Sequence, residues 1–363
     1  MHYRLATIHA REAIAADGTT VIDLNLADCV SQFQIVYEST GVGAGEAAGH
    51  AAKCITTIEL VDGSDVLFSL SGQETQAIDY YHNRIEPANV PVYLAGMPAE
   101  MIFNLNFGRF LYDPLYAFDP GKFTNPQLKI TINRSAGGVS SVAGFLTVLA
   151  HIFDEKAPTP GGFLMHKEVK DYGMGSASHE YVDLPTDFAI RKLLIAAQTY
   201  GTGPEYLINT IKLSEDNDRR IPFNHTAWEL LRMLAGQYAP YREHIIISGG
   251  ASGHKFYCTP CYWPRVQAAS WESSNIARTA TAWQGDGGRG YVYLEAVGGN
   301  HDIAVEGWAP HGAIEIPFGL QGEPEDWYDV SKLGSLRLDI LSVLNRSASD
   351  KVQVFLQQAR PYA

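Results

Sequence analysis

Apolar and polar residues along this chain alternate in short runs rich in Val, Ile, Tyr and Phe. A period of two puts successive side chains on opposite faces of a pleated ribbon, so the pattern reads as half-buried β-strand. Such runs cover Thr20–Leu26, Ser31–Tyr37, Cys54–Val61, Val66–Leu70, Met101–Asn106, Gln127–Asn133 and Val142–Ile152, with Gly, Pro, Asn or Asp between them. Closely spaced short strands predict a sandwich or barrel, not βαβ units. A helical period of three to four marks Gln73–His82 and Thr226–Ala235. Weaker helical candidates are Arg109–Phe118 and a shorter stretch at Pro324–Tyr328.

The pattern also repeats. Ile22-Asp23-Leu24 aligns with Val182-Asp183-Leu184 at an offset of 160, carrying Val30 onto Ile190, Phe33 onto Leu193 and Ile35 onto Ile195. Ile55–Asp65 aligns with Ile208–Asp218 at an offset of 153. Phe107-Gly108 aligns with Phe318-Gly319 at 211; Asp119 with Asp329 and Lys122 with Lys332 follow at 210. Val142, Phe145 and Leu146 meet Val352, Phe355 and Leu356, again at 210. Four collinear blocks indicate a tandem duplication, and the unit is too long for a solenoid repeat of roughly 20–50 residues. Two similar domains are expected, 1–160 and 161–363, joined at Ala157–Gly162 (APTPGG), where Pro and Gly resist helix and ladder alike. The jump in offset from 153 to 211 places 58 extra residues in the second domain, within about 236–310. A large insertion on a β-scaffold is expected to project and to carry function.

Composition narrows the function. At 363 residues, 46% hydrophobic and 18% charged, the chain has material for two cores. The net charge of −13, without a Lys/Arg cluster, argues against direct nucleic-acid binding, which needs a basic face to neutralise phosphates. No apolar run is long enough to span a membrane, and the N-terminal stretch has no signal core, so the expected compartment is the cytoplasm. Cys29, Cys54, Cys258 and Cys261 are too few for a disulfide framework and are expected to be reduced and structural. Cys258-Thr-Pro-Cys261 has the spacing of a zinc or redox site but lacks further ligands in sequence.

Several residues carry candidate chemistry beside a structural reading. Phe107-Gly108 and Phe318-Gly319 are expected to end a strand and enter a loop, Gly permitting a positive φ or close backbone approach. Asp119-Lys122 and Asp329-Lys332 read as polar turn and interface residues, because Asp bonds its own backbone in turns. Gly43-x-Gly45-x-x-Ala48 matches a dinucleotide fingerprint on paper but precedes a strand, not a helix, so no cofactor is expected. His301, Asp302, Glu306 and His311 could ligate a metal, and Glu323, Glu325 and Asp326 could pair as catalytic carboxylates; their spacing matches no strong motif, and surface or turn roles are expected. Neither catalytic residues, cofactor nor metal ligands are assigned.

Four segments resemble a known family. Ile58–Gly72, Asn104–Ile132, Phe163–Gly173 and Tyr181–Ile195 look like the double jelly-roll major capsid proteins of tailless icosahedral viruses and phages; the Phe-Gly…Asp-x-x-Lys pattern is their most specific part. The resemblance implies an all-β fold: two tandem eight-stranded jelly rolls with a few short helices and a large loop insertion in the second. It implies a structural subunit that is no enzyme. Homotrimers would form pseudo-hexagonal capsomers that tile a virion shell, assembled in the host cytoplasm. Partners would be the chain itself, neighbouring capsomers, penton or minor capsid proteins, and a membrane inside the shell. The insertion would be an external tower, with Tyr257, Tyr262, Trp263, Trp271 and Trp283 as exposed receptor contacts. The alternative is a double jelly-roll carbohydrate-binding protein or glycan hydrolase, in which those aromatics would stack on sugars.

Overall fold

In the computed structural model the described residues are 2–40, 49–94, 97–137, 143–155, 158–248, 254–271, 277–280, 282–283, 287–292 and 300–362. The alternating runs form strands. The first half contributes β1 (Tyr3–Ile14), β2 (Gly18–Asp23), β3 (Val30–Thr40), β4 (Ile55–Asp62), β5 (Asp65–Leu70), α1 (Gly72–Asn83), β6 (Val92–Tyr93), β7 (Ala99–Asn106), β8 (Pro126–Ile132) and β9 (Ala143–Phe153). Eight of these strands make two four-stranded layers, ordered β1-β9-β3-β7 and β2-β8-β4-β5. Apart from the β4–β5 hairpin, consecutive strands of these two layers alternate between them, which is the winding of a jelly roll. On β9 the alternation is strict: Leu146, Val148, Ala150 and Ile152 are fully buried between the layers, and the residues between them are half-buried.

The second half repeats this order. It comprises β10 (Gly162–Gly173), β11 (His179–Asp183), β12 (Ala189–Gln198), β13 (Ile208–Glu215), β14 (Arg220–Thr226) and α2 (Ala227–Gln237). After an insertion of β15 (Tyr241–Ser248), β16 (His254–Tyr257), β17 (Pro260–Trp271), β18 (Ala277–Ala280), β19 (Ala282–Trp283), β20 (Arg289–Val292) and β21 (Asn300–Pro310) come β22 (Ala313–Pro317), β23 (Leu336–Ser342) and β24 (Lys351–Pro361). Its layers run β10-β24-β12-β22 and β11-β23-β13-β14. Substituting β10 for β1, β11 for β2 and onward to β24 for β9 maps one half onto the other. Even isolated bridges repeat: Val30 pairs with Phe118, and Ile190 with Tyr328. The two jelly rolls stand edge to edge. β5 pairs in parallel with β10 (Phe68 opposite His166, Ser69 opposite Lys167), so one eight-stranded sheet runs through both.

Both expected helices form, each opened by a capping box. Ser71 Oγ accepts from Glu74 N (3.3 Å) and Glu74 Oε2 from Ser71 N (2.7 Å); Thr226 and Glu229 do the same at 3.2 and 2.8 Å. Two expectations are corrected. Arg109–Phe118 is not helical. Pro114 disfavours helix at Asp113, and the buried Asp113 carboxylate takes the Arg109 and Leu115 N–H groups, both at 3.0 Å, making a run of turns. Pro324–Tyr328 yields a single 3₁₀ turn, Pro324–Asp326. The insertion in the second half forms a sheeted subdomain, with layers β18-β17-β21-β15-β6 and β16-β20-β19. Strand β6 belongs to the first half, so both halves build it. The expected linker is tied down where it is described: Gly161 N donates to Leu115 O and Ala117 N to Gly162 O, at 3.0 and 3.1 Å.

Candidate functional site: the seam between the halves and the base of the insertion

The seam begins with aromatic residues that end strands. Phe107, immediately after β7, is fully buried; its ring lies 5.5 Å from Phe33, 5.2 Å from Phe118 and 6.4 Å from Phe163 of β10. Tyr362, beyond β24, closes the cluster against Phe163 (5.6 Å), donates its hydroxyl to Ala117 O (2.7 Å) and accepts from Asp119 N (2.6 Å). Edge-to-face and tilted ring pairs of this kind add to area burial. Nearby, the Arg360 fork grips Asp65 of β5, holding that carboxyl below its ordinary range.

Helix α1 lies across the seam, buried on most of its surface. Tyr81 donates to Ala313 O (2.8 Å), and Lys192 reaches Tyr81 O (3.3 Å). Lys192 also pairs with Glu315, which accepts the Tyr238 hydroxyl. All of this is buried, and burial lowers the Lys192 pKa against the pull of Glu315. A buried ion pair adds little net stability, but breaking one side leaves a costly lone charge. Beside it, Arg191 donates to Gln357 Oε1 (2.8 Å) and to His82 Nδ1 (3.0 Å), and the Gln357 amide meets His166 Nε2 at 2.7 Å. Burial, reinforced by the Arg191 charge, pushes His166 down to about 3 and His82 well below its ordinary value. Both rings are neutral at physiological pH and serve as hydrogen-bond partners.

A second polar hub anchors the insertion. Glu243 of β15 accepts from Thr259 N (2.7 Å) and Thr259 Oγ1 (2.9 Å) and meets His50 of the first half at 3.0 Å. Gln73 and Gln76 of α1, Gln198 of β12 and Tyr257 surround His311, whose ring nitrogens find Gln73, Tyr257 and Gln76 at 3.1 Å each. Burial drives His311 well below its usual pKa. On the outer side, a cleft of about 630 Å³ lies between Glu86–Asn89 and the exposed face carrying Arg242, His244, Arg265 and Glu306.

The repeated motif occupies these places unequally. Gly108 and Gly319 both allow close approach: an added Cβ would lie 2.6 Å from Tyr116 O at the first and 2.0 Å from Asp326 O at the second, where φ is also +65°. Phe318 is half-buried and packs on Tyr328 at 4.8 Å. Asp119 accepts from Gly121 N and Asp329 from Ser331 N, each at 3.0 Å, while Lys122 and Lys332 are exposed or nearly so. His301 and His311 sit at opposite ends of β21, Asp302 pairs with His244, and Glu306 with Arg265 at 3.3 Å. Among the described residues, no group of three or more His, Cys, Asp or Glu is arranged for a metal. Glu323 precedes the 3₁₀ turn and Glu325 lies within it, and Asp326 accepts Leu320 N at 2.6 Å. Cys258 and Cys261 are separate buried thiols, with burial raising both pKa values. Gly43, Gly45 and Ala48 lie outside the described residues.

No family model matches the sequence, and no curated protein matches it. Solved structures do. The major capsid protein of Sulfolobus Turreted Icosahedral Virus (STIV) matches with a TM-score of 0.64 at 12% identity, covering 100% of this chain and 98% of that one. Major capsid protein P2 of bacteriophage PM2 follows at 0.57 and 11%, covering 99% and 98%. A subunit of the PBCV-1 virus capsid matches at 0.55 and 10%, covering 98% and 93%. The chain has the double jelly-roll fold of viral major capsid proteins. Within that double jelly roll, two of the aromatics expected on an exposed tower are corrected. Tyr257 and Tyr262 are buried, because β16 and β17 turn them toward the base of the insertion; Trp263 is 55% exposed. The side chains of Trp271 and Trp283 lie outside the described residues. Sequence reasoning missed the buried seam residues Lys192, Glu315, Arg191 and His166. The signal for Lys192 was legible: Arg191-Lys192 interrupts a run that is otherwise apolar from Ala189 to Ala197.

Proposed function

We propose that this chain is a major capsid subunit of an icosahedral virus and acts by self-assembly. The observation that carries the reading is the pair of jelly rolls standing edge to edge along the whole chain, the arrangement shared with full-length capsid subunits. Two similar wedges per chain let three chains enclose a near-sixfold ring, a closed cyclic solution. In this reading residues 1–160 and 161–363 are the two jelly rolls, and the insertion at about 236–310 faces outward as a tower. Neighbouring rings, penton or minor capsid proteins and an enclosed membrane are the partners; the virion shell, assembled in the host cytoplasm, is the location. The net charge of −13 supports a shell that keeps nucleic acid at a distance. No chemistry is required of the subunit. The glycan-binding alternative is not favoured, since Tyr257 and Tyr262, two of the aromatics it needs, are buried. Light scattering on the purified protein tests the proposal. A mass of about 119 kDa, three times the 39.8 kDa chain, or multiples of it, is expected. A monomer at all concentrations overturns it.

A further inference from the structure

The strand pairing that joins the two halves is short. β5 meets β10 over two residue pairs, and the pairing ends at Ser69 and Lys167. From there the first half turns through Ser71 into α1, and the second half runs on to Glu168, where β10 bulges against β24. Glu74, in the first turn of α1, comes back over this end of the pairing. It is 1% exposed, and its carboxyl lies within hydrogen-bond reach of the Glu168 carboxyl. Glu74 Oε2 is taken by Ser71 N, but among the described residues nothing donates to Oε1. Glu168 Oε2 accepts from the Gln353 amide at 3.2 Å.

Two ionised carboxylates do not tolerate this separation in a buried site unless a cation relieves them. The cations nearby are engaged elsewhere. A cavity of about 160 Å³ opens beside Glu74, with Lys53, Lys351 and His311 in its wall. Lys53 Nζ lies over the Tyr257 ring at 4.4 Å, Lys351 pairs with Asp171 at 3.0 Å, and burial keeps His311 neutral. On β10, Lys170 is held by Glu180, and Lys167 is exposed. β12 contributes Ala196 and Gln198 to the cavity, neither of them charged. Burial first, and the facing Glu168 carboxyl second, push the Glu74 pKa well above its ordinary value.

We propose that Glu74 and Glu168 share one proton, and that this bond is a latch that continues the seam past the last strand pair and releases when the pair ionises. The proton belongs to the pair and not to either residue. The folded chain holds it at pH values where an exposed Glu has already lost it. The contribution of the latch is therefore fully present below the ordinary 4.5 and is lost as pH rises through the value at which the closed pair ionises. This runs opposite to His166, whose share is lost toward acid. The latch is internal to one chain and does not depend on the capsid reading.

Amide hydrogen exchange on the full-length protein tests the latch, read peptide by peptide from about pH 5.5 to about 8. Opening the seam releases the shared proton, so opening becomes about tenfold easier per pH unit until the closed pair itself ionises. Chemical exchange and the histidines cancel in the ratio of wild type to Glu74→Gln, a variant that keeps the capping box. That ratio is expected to rise about tenfold per pH unit in β5 and in Met165–Lys167 of β10, and to stay level in β13 and β23. A level ratio at the seam overturns the proposal. So does an equal rise in β13 and β23, because the pair then acts only on global unfolding. Glu168→Gln removes the like charge and gives Glu74 an N–H donor, so its rise is expected to level off at lower pH than in wild type. A curve unchanged from wild type means that Glu74 titrates alone, and overturns the shared proton. If Glu74→Gln is unfolded, wild type is read directly against Glu168→Gln, and a level ratio again overturns the proposal. Calcium or magnesium chloride that slows seam exchange in wild type but in neither variant overturns it too, since the pair then holds a metal ion.

Discussion

Phe107 and Phe318 hold the same place in the duplicated motif, so truncating each gives an internally controlled experiment. Phe107 is fully buried against Phe33, Phe118 and, across the seam, Phe163. Removing a buried Phe ring typically costs about 3–5 kcal/mol, the lost transfer energy plus the cavity left behind. Phe118 and Phe163 are themselves held by neighbours, so the site collapses poorly and the upper part of that range is expected. Phe318 is half-buried and packs chiefly on Tyr328, so roughly half the transfer term, about 1–2 kcal/mol, is at stake. At about 2–4 °C per kcal/mol for cooperative units of this size, F107A lowers the unfolding midpoint by about 10 °C or more and F318A by about 4 °C. Scanning calorimetry at one scan rate and one protein concentration measures both. An F318A shift equal to or larger than that of F107A would refute the claim that the aromatic cluster anchors the seam.

Acidification tests the buried histidines. His166 has its folded pKa pushed down to about 3, against 6.5 when free, so the unfolded chain takes up the proton first. Its stabilising share is complete above pH 6.5 and is lost as pH falls toward 3, reaching about 2 kcal/mol at pH 5. Asp79, raised to about 6 by burial, acts in the opposite direction below pH 6. Denaturant titrations at pH 7.5 and 5 should therefore show a slope that His166→Gln makes less destabilising toward acid by about 2 kcal/mol; an unchanged slope refutes the assignment. Glu315→Gln strands the Lys192 charge and is expected to cost about 3–5 kcal/mol, whereas Lys192→Met with Glu315→Leu recovers most of it in equilibrium unfolding. Gly319→Ala meets both a φ of +65° and the Asp326 carbonyl, so a loss of more than about 1 kcal/mol is expected; a neutral result would mean that the turn rebuilds freely.

The strand alternation, the duplicated blocks and both helices were legible because they are local. Period two, period 3.6 and the Ser71…Glu74 and Thr226…Glu229 caps need no distant partner. The repeat fixed the topology further than any single strand could, since one half's β-order constrains the other. What misled was also local. Arg109–Phe118 has helical spacing, but Asp113-Pro114 redirects the backbone into turns. Tyr257 and Tyr262 lie in a polar insertion and look exposed, yet their strands fold back over α1 and β12.

The amino-acid sequence by itself determined an all-β chain made of two related units, with extra material in the second. The tertiary structure decided which charges are buried, that β6 from the first half completes the inserted sheet, and which surfaces stay open. The physical reason is that periodicity reports a residue's face on its own element, whereas burial depends on what lies across that face. Val36 on β3 and Lys192 on β12 both face outward from their own jelly roll; α1 lies over the second, which is buried, while the first stays half-buried.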